Sequence, residues 1–118
     1  MNQPILFSEA KIIPKERVYA YQDSGGVNLL ITRDKGFQGA GCNIRFYING
    51  ELAAEFAQGE GHSFRVPSGV IILGIKPSAA CGGGLHVESE VSGKTGDTIR
   101  RRIFMSMTHM DIMPTANH

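Results

Sequence analysis

Residues 42–57 read CNIRFYINGELAAEFA. Successive side chains of an extended strand point to opposite faces. Cys42, Ile44 and Phe46 therefore share one face, and Asn43, Arg45 and Tyr47 the other. Beyond Asn49–Gly50, Leu52, Ala54 and Phe56 alternate against Glu51, Ala53 and Glu55. Asn-Gly between two alternating runs is a strong hairpin signal, and turn length sets the register. A two-residue loop pairs Ile48 with Glu51, Phe46 with Ala53 and Ile44 with Glu55, which places carboxylates on the apolar face. A three-residue loop, with Gly50 left-handed in a bulge, pairs Phe46 with Leu52, Ile44 with Ala54 and Cys42 with Phe56. A one-residue slip turns a whole strand over, so the apolar pattern predicts the bulged three-residue loop. The alanine-rich run at 51–58 lies between Gly50 and Gly59 and is too short to hold as a helix.

The same period of two continues outward. Residues 17–22 (RVYAYQ) and 27–32 (VNLLIT) flank a turn at 23–26, and 35–41 form a glycine-rich connection. His62, Phe64 and Val66 share a face before the turn at 67–69. Residues 70–76 read as a strand covered on both sides. Leu85, Val87, Ser89 and Val91 alternate against His86, Glu88 and Glu90, and residues 98–107 form the last strand. The expectation is an all-β chain: an antiparallel β-sandwich of seven to eight short strands, with a small β-barrel as the alternative. Residues 1–14 read as an N-terminal arm, 15–114 as the single domain and 115–118 as a tail.

Composition narrows the function classes. The chain has 118 residues, 12 Lys+Arg against 11 Asp+Glu, 42% hydrophobic residues, two Cys and 15 Gly. Glycine is nearly twice its ~7% average. These values exclude a disordered chain, a coiled coil, a collagen repeat and a disulfide-dense mini-protein. A net charge of +1 argues against a general nucleic-acid binder. The longest apolar run, at 70–73, falls far short of the ~18 residues of a membrane span. The first ten residues lack the basic and apolar regions of a signal peptide. The chain therefore reads either as cytosolic or as the mature part of an exported protein. Cys42 and Cys81 fit one disulfide in an oxidising compartment or two buried thiols in the cytosol. Bridged, they would close a loop of about 40 residues, worth about 4 kcal/mol on the chain-entropy account.

The order of pieces resembles a family of small bacterial envelope proteins, often lipoproteins, whose function is unassigned. The matching segments are KERVYAY at 15–21, YINGEL at 47–52, FRVPSG at 64–69 and DIMP at 111–114. The resemblance spans about residues 15–114 and rests on turn chemistry and strand patterning, which other sandwich modules share. It implies a periplasmic or outer-membrane-associated location and a lipid anchor carried by a precursor. It brings no catalytic residues.

Several residues invite chemistry. Met105, Met107, His109, Met110 and Met113 form a soft ligand set suited to Cu(I). Met105 and Met107 also share the face of Ile103, where methionine commonly fills core gaps. His86, Glu88 and Glu90 could supply metal ligands or an acid/base pair, and a solvated strand face has the same spacing. His62 reads as a half-buried, hydrogen-bonded histidine and His118 as part of the tail. Arg100, Arg101 and Arg102 are the one basic run, which fits charges guarding a sheet edge. If Ile99 and Ile103 face the core, Arg101 must reach the sheet edge or pair with a carboxylate. The glycines at 82–84 and at 36, 39 and 41 match no phosphate-loop, nucleophile-turn or dinucleotide pattern in context. A nucleophilic Cys81 would need a histidine base brought in by folding. The expected function is a non-enzymatic envelope module without cofactor, monomeric, binding a protein or envelope component. Its binding loops would be Lys35, Gly36, Phe37, Gln38 and Gly39 on one side, and Ser78, Gly82 and Gly83 on the other. An exposed sheet edge accepting a strand is the other candidate surface. A small-ligand or copper-binding protein using the C-terminal methionines is the alternative.

Overall fold

The structure is a computed structural model and describes residues 3–36, 41–81, 84–106 and 109–115. Among these residues, nine strands form two sheets. The strands are β1 (Lys11–Ile12), β2 (Val27–Arg33), β3 (Ile44–Ile48), β4 (Glu51–Phe56), β5 (Glu60–Val66), β6 (Gly69–Pro77), β7 (Val87–Gly93), β8 (Thr98–Met105) and β9 (Met110–Pro114). One sheet has the order β1-β5-β2-β8-β9, the other β4-β3-β6-β7. The all-β reading holds, with nine strands instead of seven or eight, and the sheets do not close into a barrel. The five-stranded sheet is mixed, which corrects the antiparallel sandwich expected from the sequence: β1 runs parallel to β5 and β2 parallel to β8.

The inner faces of the two sheets supply the core. Leu29, Ile31, Phe64 and Ile103 from one sheet meet Ile44, Phe46, Phe56, Leu73 and Ile75 from the other, all fully buried. Phe46 stands edge-on to Phe56 at 5.6 Å and tilted against Phe64 at 5.3 Å, geometries that aromatic quadrupoles favour.

The hairpin register differs from the expectation in an instructive way. Asn49 and Gly50 both have positive φ, 50° and 81°, and Ile48 pairs with Glu51. The loop thus has two residues, of the type Asn-Gly favours. The slip that the apolar pattern demands occurs inside β4 instead. Tyr47 pairs with Leu52 and Phe46 with Ala54, leaving Ala53 as an extra, bulged residue. Ile44 then pairs with Phe56, and Ala53, Ala54 and Phe56 are all buried. Ala53 turns its carbonyl outward to accept the Tyr19 N–H at 2.8 Å.

Three strand assignments change. Residues 17–22 are not a strand: Lys15–Arg17 form a 3-10 turn, Val18 makes an isolated bridge to Ala54, and Tyr21 has φ 64°. The final strand stops at Met105, and Met110–Pro114 return beside it as β9. β6 is not covered on both sides, because Val70 is 60% exposed and Ile72 only half-buried on the outer face of its sheet.

Residues 3–13 lie against the domain. The Gln3 and Lys35 backbones bond to each other, Ile5 is buried, and Ile13 joins the core. Ile5 lines a cavity with Leu30, Thr32 and Arg100, side chains on the outer face of the five-stranded sheet.

Candidate binding surface at the disulfide end

β2 ends where the connection to β3 begins, and alternation carries Arg33 inward in line with Leu29 and Ile31. Its guanidinium donates to the Cys42 carbonyl at 2.6 Å and to the Phe56 carbonyl at 2.8 Å. Burial lowers its pKa to about 10, opposed by the charge of Glu60. Glu60, itself buried, takes two parallel bonds from Arg17 at 2.8 and 2.7 Å and one from the Ala57 N–H at 2.7 Å. Arg17 also donates to the Glu55 carbonyl, and its pKa is raised chiefly by its bond to Glu60. Bidentate arginine–carboxylate pairs add geometric definition as well as energy. Together these contacts fix the turn at 57–59 and the start of β3.

Cys42 and Cys81 are joined by a disulfide across 6.0 Å between Cα atoms. The bond ties the β2–β3 connection to the 3-10 turn Ala79–Cys81 that follows β6. The Ser78 N–H donates to the Asn43 carbonyl at 2.9 Å and the Cys81 N–H to the Ser78 carbonyl. Both connections are thus pinned at one end of the sandwich. Of the expected binding loops, Lys35 is exposed, Gly36 donates its N–H to Gln58 Oε1 at 3.0 Å, and Ser78 is half-buried. Phe37, Gln38, Gly39, Gly82 and Gly83 lie outside the described residues.

The methionine segment is divided by the β8–β9 hairpin. Met110 is buried in the core, and its pairing partner Met105 packs against the core. Met113, an odd number of residues further along β9, takes the opposite face, with its sulfur 3.9 Å from Arg102 Nη2. His109 is exposed beside Asp111 and Phe104. Met107 lies outside the described residues. The structure therefore brings Met105 and Met110 together and separates Met113 from them.

The other candidates take ordinary places. His62 Nε2 lies 2.9 Å from Gln22 Oε1, its ring packs on Phe64, and burial lowers its pKa. His86 and Glu88 form an exposed 3.5 Å contact on the outer face of β7, while Glu90 lies further along beside Ile72. Among the described residues no three His, Cys, Asp or Glu side chains converge. Arg101 shares the face of Ile99 and Ile103 and folds back to donate to the Arg100 carbonyl at 2.8 Å. Arg102 pairs with Asp34, whose side chain is 1% exposed and whose Oδ1 has no hydrogen-bond partner. Burial pushes the Asp34 carboxyl up, against the pull of Arg102.

Arg33, Asp34, Glu60 and the Gly36–Gln58 hydrogen bond have no place among the residues singled out from the sequence. The parity of Val27, Leu29, Ile31 and Arg33 already places Arg33 inward once the strand is carried one residue past Thr32. Nothing local marks Glu60, because its partner Arg17 is distant in sequence.

No helix among the described residues is long and apolar enough to cross a membrane. Comparison with known proteins returns no match, whether to a family model, a curated protein or a solved structure.

Proposed function

We propose that the protein is a non-enzymatic β-sandwich module of the bacterial cell envelope that binds a protein or another envelope component through its disulfide-tied end. The Cys42–Cys81 bond carries this reading. Disulfides persist in oxidising compartments and are rare in the cytosol, and this one draws together the two glycine-rich connections. Loops held on a rigid scaffold are the usual carriers of recognition. The envelope assignment rests on the resemblance of residues 15–114, and the bond is in keeping with it.

The test is capture from an envelope extract under non-reducing conditions. Immobilised wild-type protein is compared with Lys35→Glu and with the Cys42→Ser/Cys81→Ser double variant, each verified as folded by circular dichroism. A component retained by the wild type and lost from both variants supports the reading. Identical retention by all three proteins overturns it.

A further inference from the structure

Three cavities on the outer side of the five-stranded sheet share Ile5 in their walls. One of them, about 320 Å³, is lined by Ile5, Glu9, Lys11, Lys35, Gln58 and Gly59. Its size falls at the lower end of the roughly 300–1,000 Å³ of small-molecule sites.

The main chain that carries its two lysines is held by the fold. The Lys11 N–H donates to the Gly59 carbonyl at 3.0 Å, and the Lys35 N–H to the Gln3 carbonyl at 3.0 Å. Gly59 has φ 75°, and the Lys35 stem lies 3.9 Å from where a Cβ at that position would sit. Gln58 Oε1 accepts the Gly36 N–H, which leaves the side-chain NH₂ to donate. Among the described residues, no carboxylate lies within 4 Å of the Lys11 or Lys35 ammonium. Glu9, the one carboxylate in the wall, lies 3.4 Å from the Leu6 N–H. The lining thus carries two lysines and an amide against one carboxylate, with Ile5 as an apolar wall. The neighbouring cavity of about 390 Å³ differs, because its Arg102 is already neutralised by Asp34.

We infer that this cavity binds a small organic dianion, its charged end on Lys11, Lys35 and Gln58 and its apolar body along Ile5. Lysine ammonium groups act as compact point charges for oxyanions. A phosphomonoester and a dicarboxylate share this chemistry. The inference stands apart from the envelope reading, since it concerns a small ligand and no second macromolecule.

Amide and side-chain NH₂ resonances of the full chain, followed by NMR, test it with three titrants at matched ionic strength: phenyl phosphate, succinate and sodium chloride. Saturating shifts at Lys11, Lys35, Gly36, Gly59 and the Gln58 NH₂ are expected with one or both organic dianions and not with chloride. Response to phenyl phosphate alone assigns a phosphomonoester, and response to succinate alone a dicarboxylate. The Lys11→Ala/Lys35→Ala variant weakens binding about tenfold or more at unchanged melting temperature. Lys94→Ala, on the distant 93–97 turn, leaves it intact. Absence of saturable shifts beyond those of chloride overturns the inference. Equal affinity in the double variant, or an equal loss in Lys94→Ala, overturns it as well.

Discussion

Arg33 shows how a charged side chain can belong to a core. Its aliphatic stem continues the row of Leu29 and Ile31, and its guanidinium satisfies the Cys42 and Phe56 carbonyls that the β3–β4 hairpin presents. Replacement by methionine keeps most of the volume but leaves buried acceptors without these donors. We expect a loss of about 2–4 kcal/mol, read from urea denaturation. His62 supplies a pH dependence of definite sign. Its folded pKa lies below the ordinary 6.5 because burial disfavours the charged ring. The unfolded chain therefore binds the proton first as pH falls. Stability is full above pH 6.5 and declines as pH drops toward the folded value. Melting curves of His62→Gln should lose that decline while wild type keeps it. A slope unchanged by the substitution would assign the effect to other groups.

At the scale of elements, the β3–β4 hairpin separates what a pattern can say from what it cannot. Alternation required that Ile44, Phe46, Ala54 and Phe56 share a face, and they do. Where the extra residue sits was not legible. Asn49–Gly50 satisfies a two-residue turn, and Ala53 is small enough to bulge while its carbonyl meets residues 19 and 20. That partner comes from a distant segment, so no local signal announces it. Deleting Ala53 leaves the turn and the Phe46–Ala54 and Ile44–Phe56 pairings in place but removes the carbonyl that accepts the Tyr19 N–H, and should cost about 1–2 kcal/mol in denaturant titration. The parallel β2–β8 pairing was hidden for the same reason: neither strand carries a mark of its partner's direction. β9 is a different case, since Met110 and Ile112 alternate with Asp111 and Met113 in plain view.

For the molecule as a whole, the two connections at one end of the sandwich are held by a covalent bond, while residues 3–13 pack along one sheet. Spacing alone made the bond an option; only the fold, by bringing Cys42 and Cys81 within 6.0 Å, makes it a fact of the structure. On the chain-entropy account, closing this loop contributes about 4 kcal/mol. Reduction should therefore lower the melting temperature by about 10–20 °C, as calorimetry with and without reductant would show. The most direct test of the account is the thiol state of the protein recovered from its own cells, alkylated at once and digested without reductant. We predict a single cross-linked species joining the Cys42 and Cys81 peptides. Recovery of both peptides separately alkylated would contradict the disulfide and, with it, the proposed envelope role.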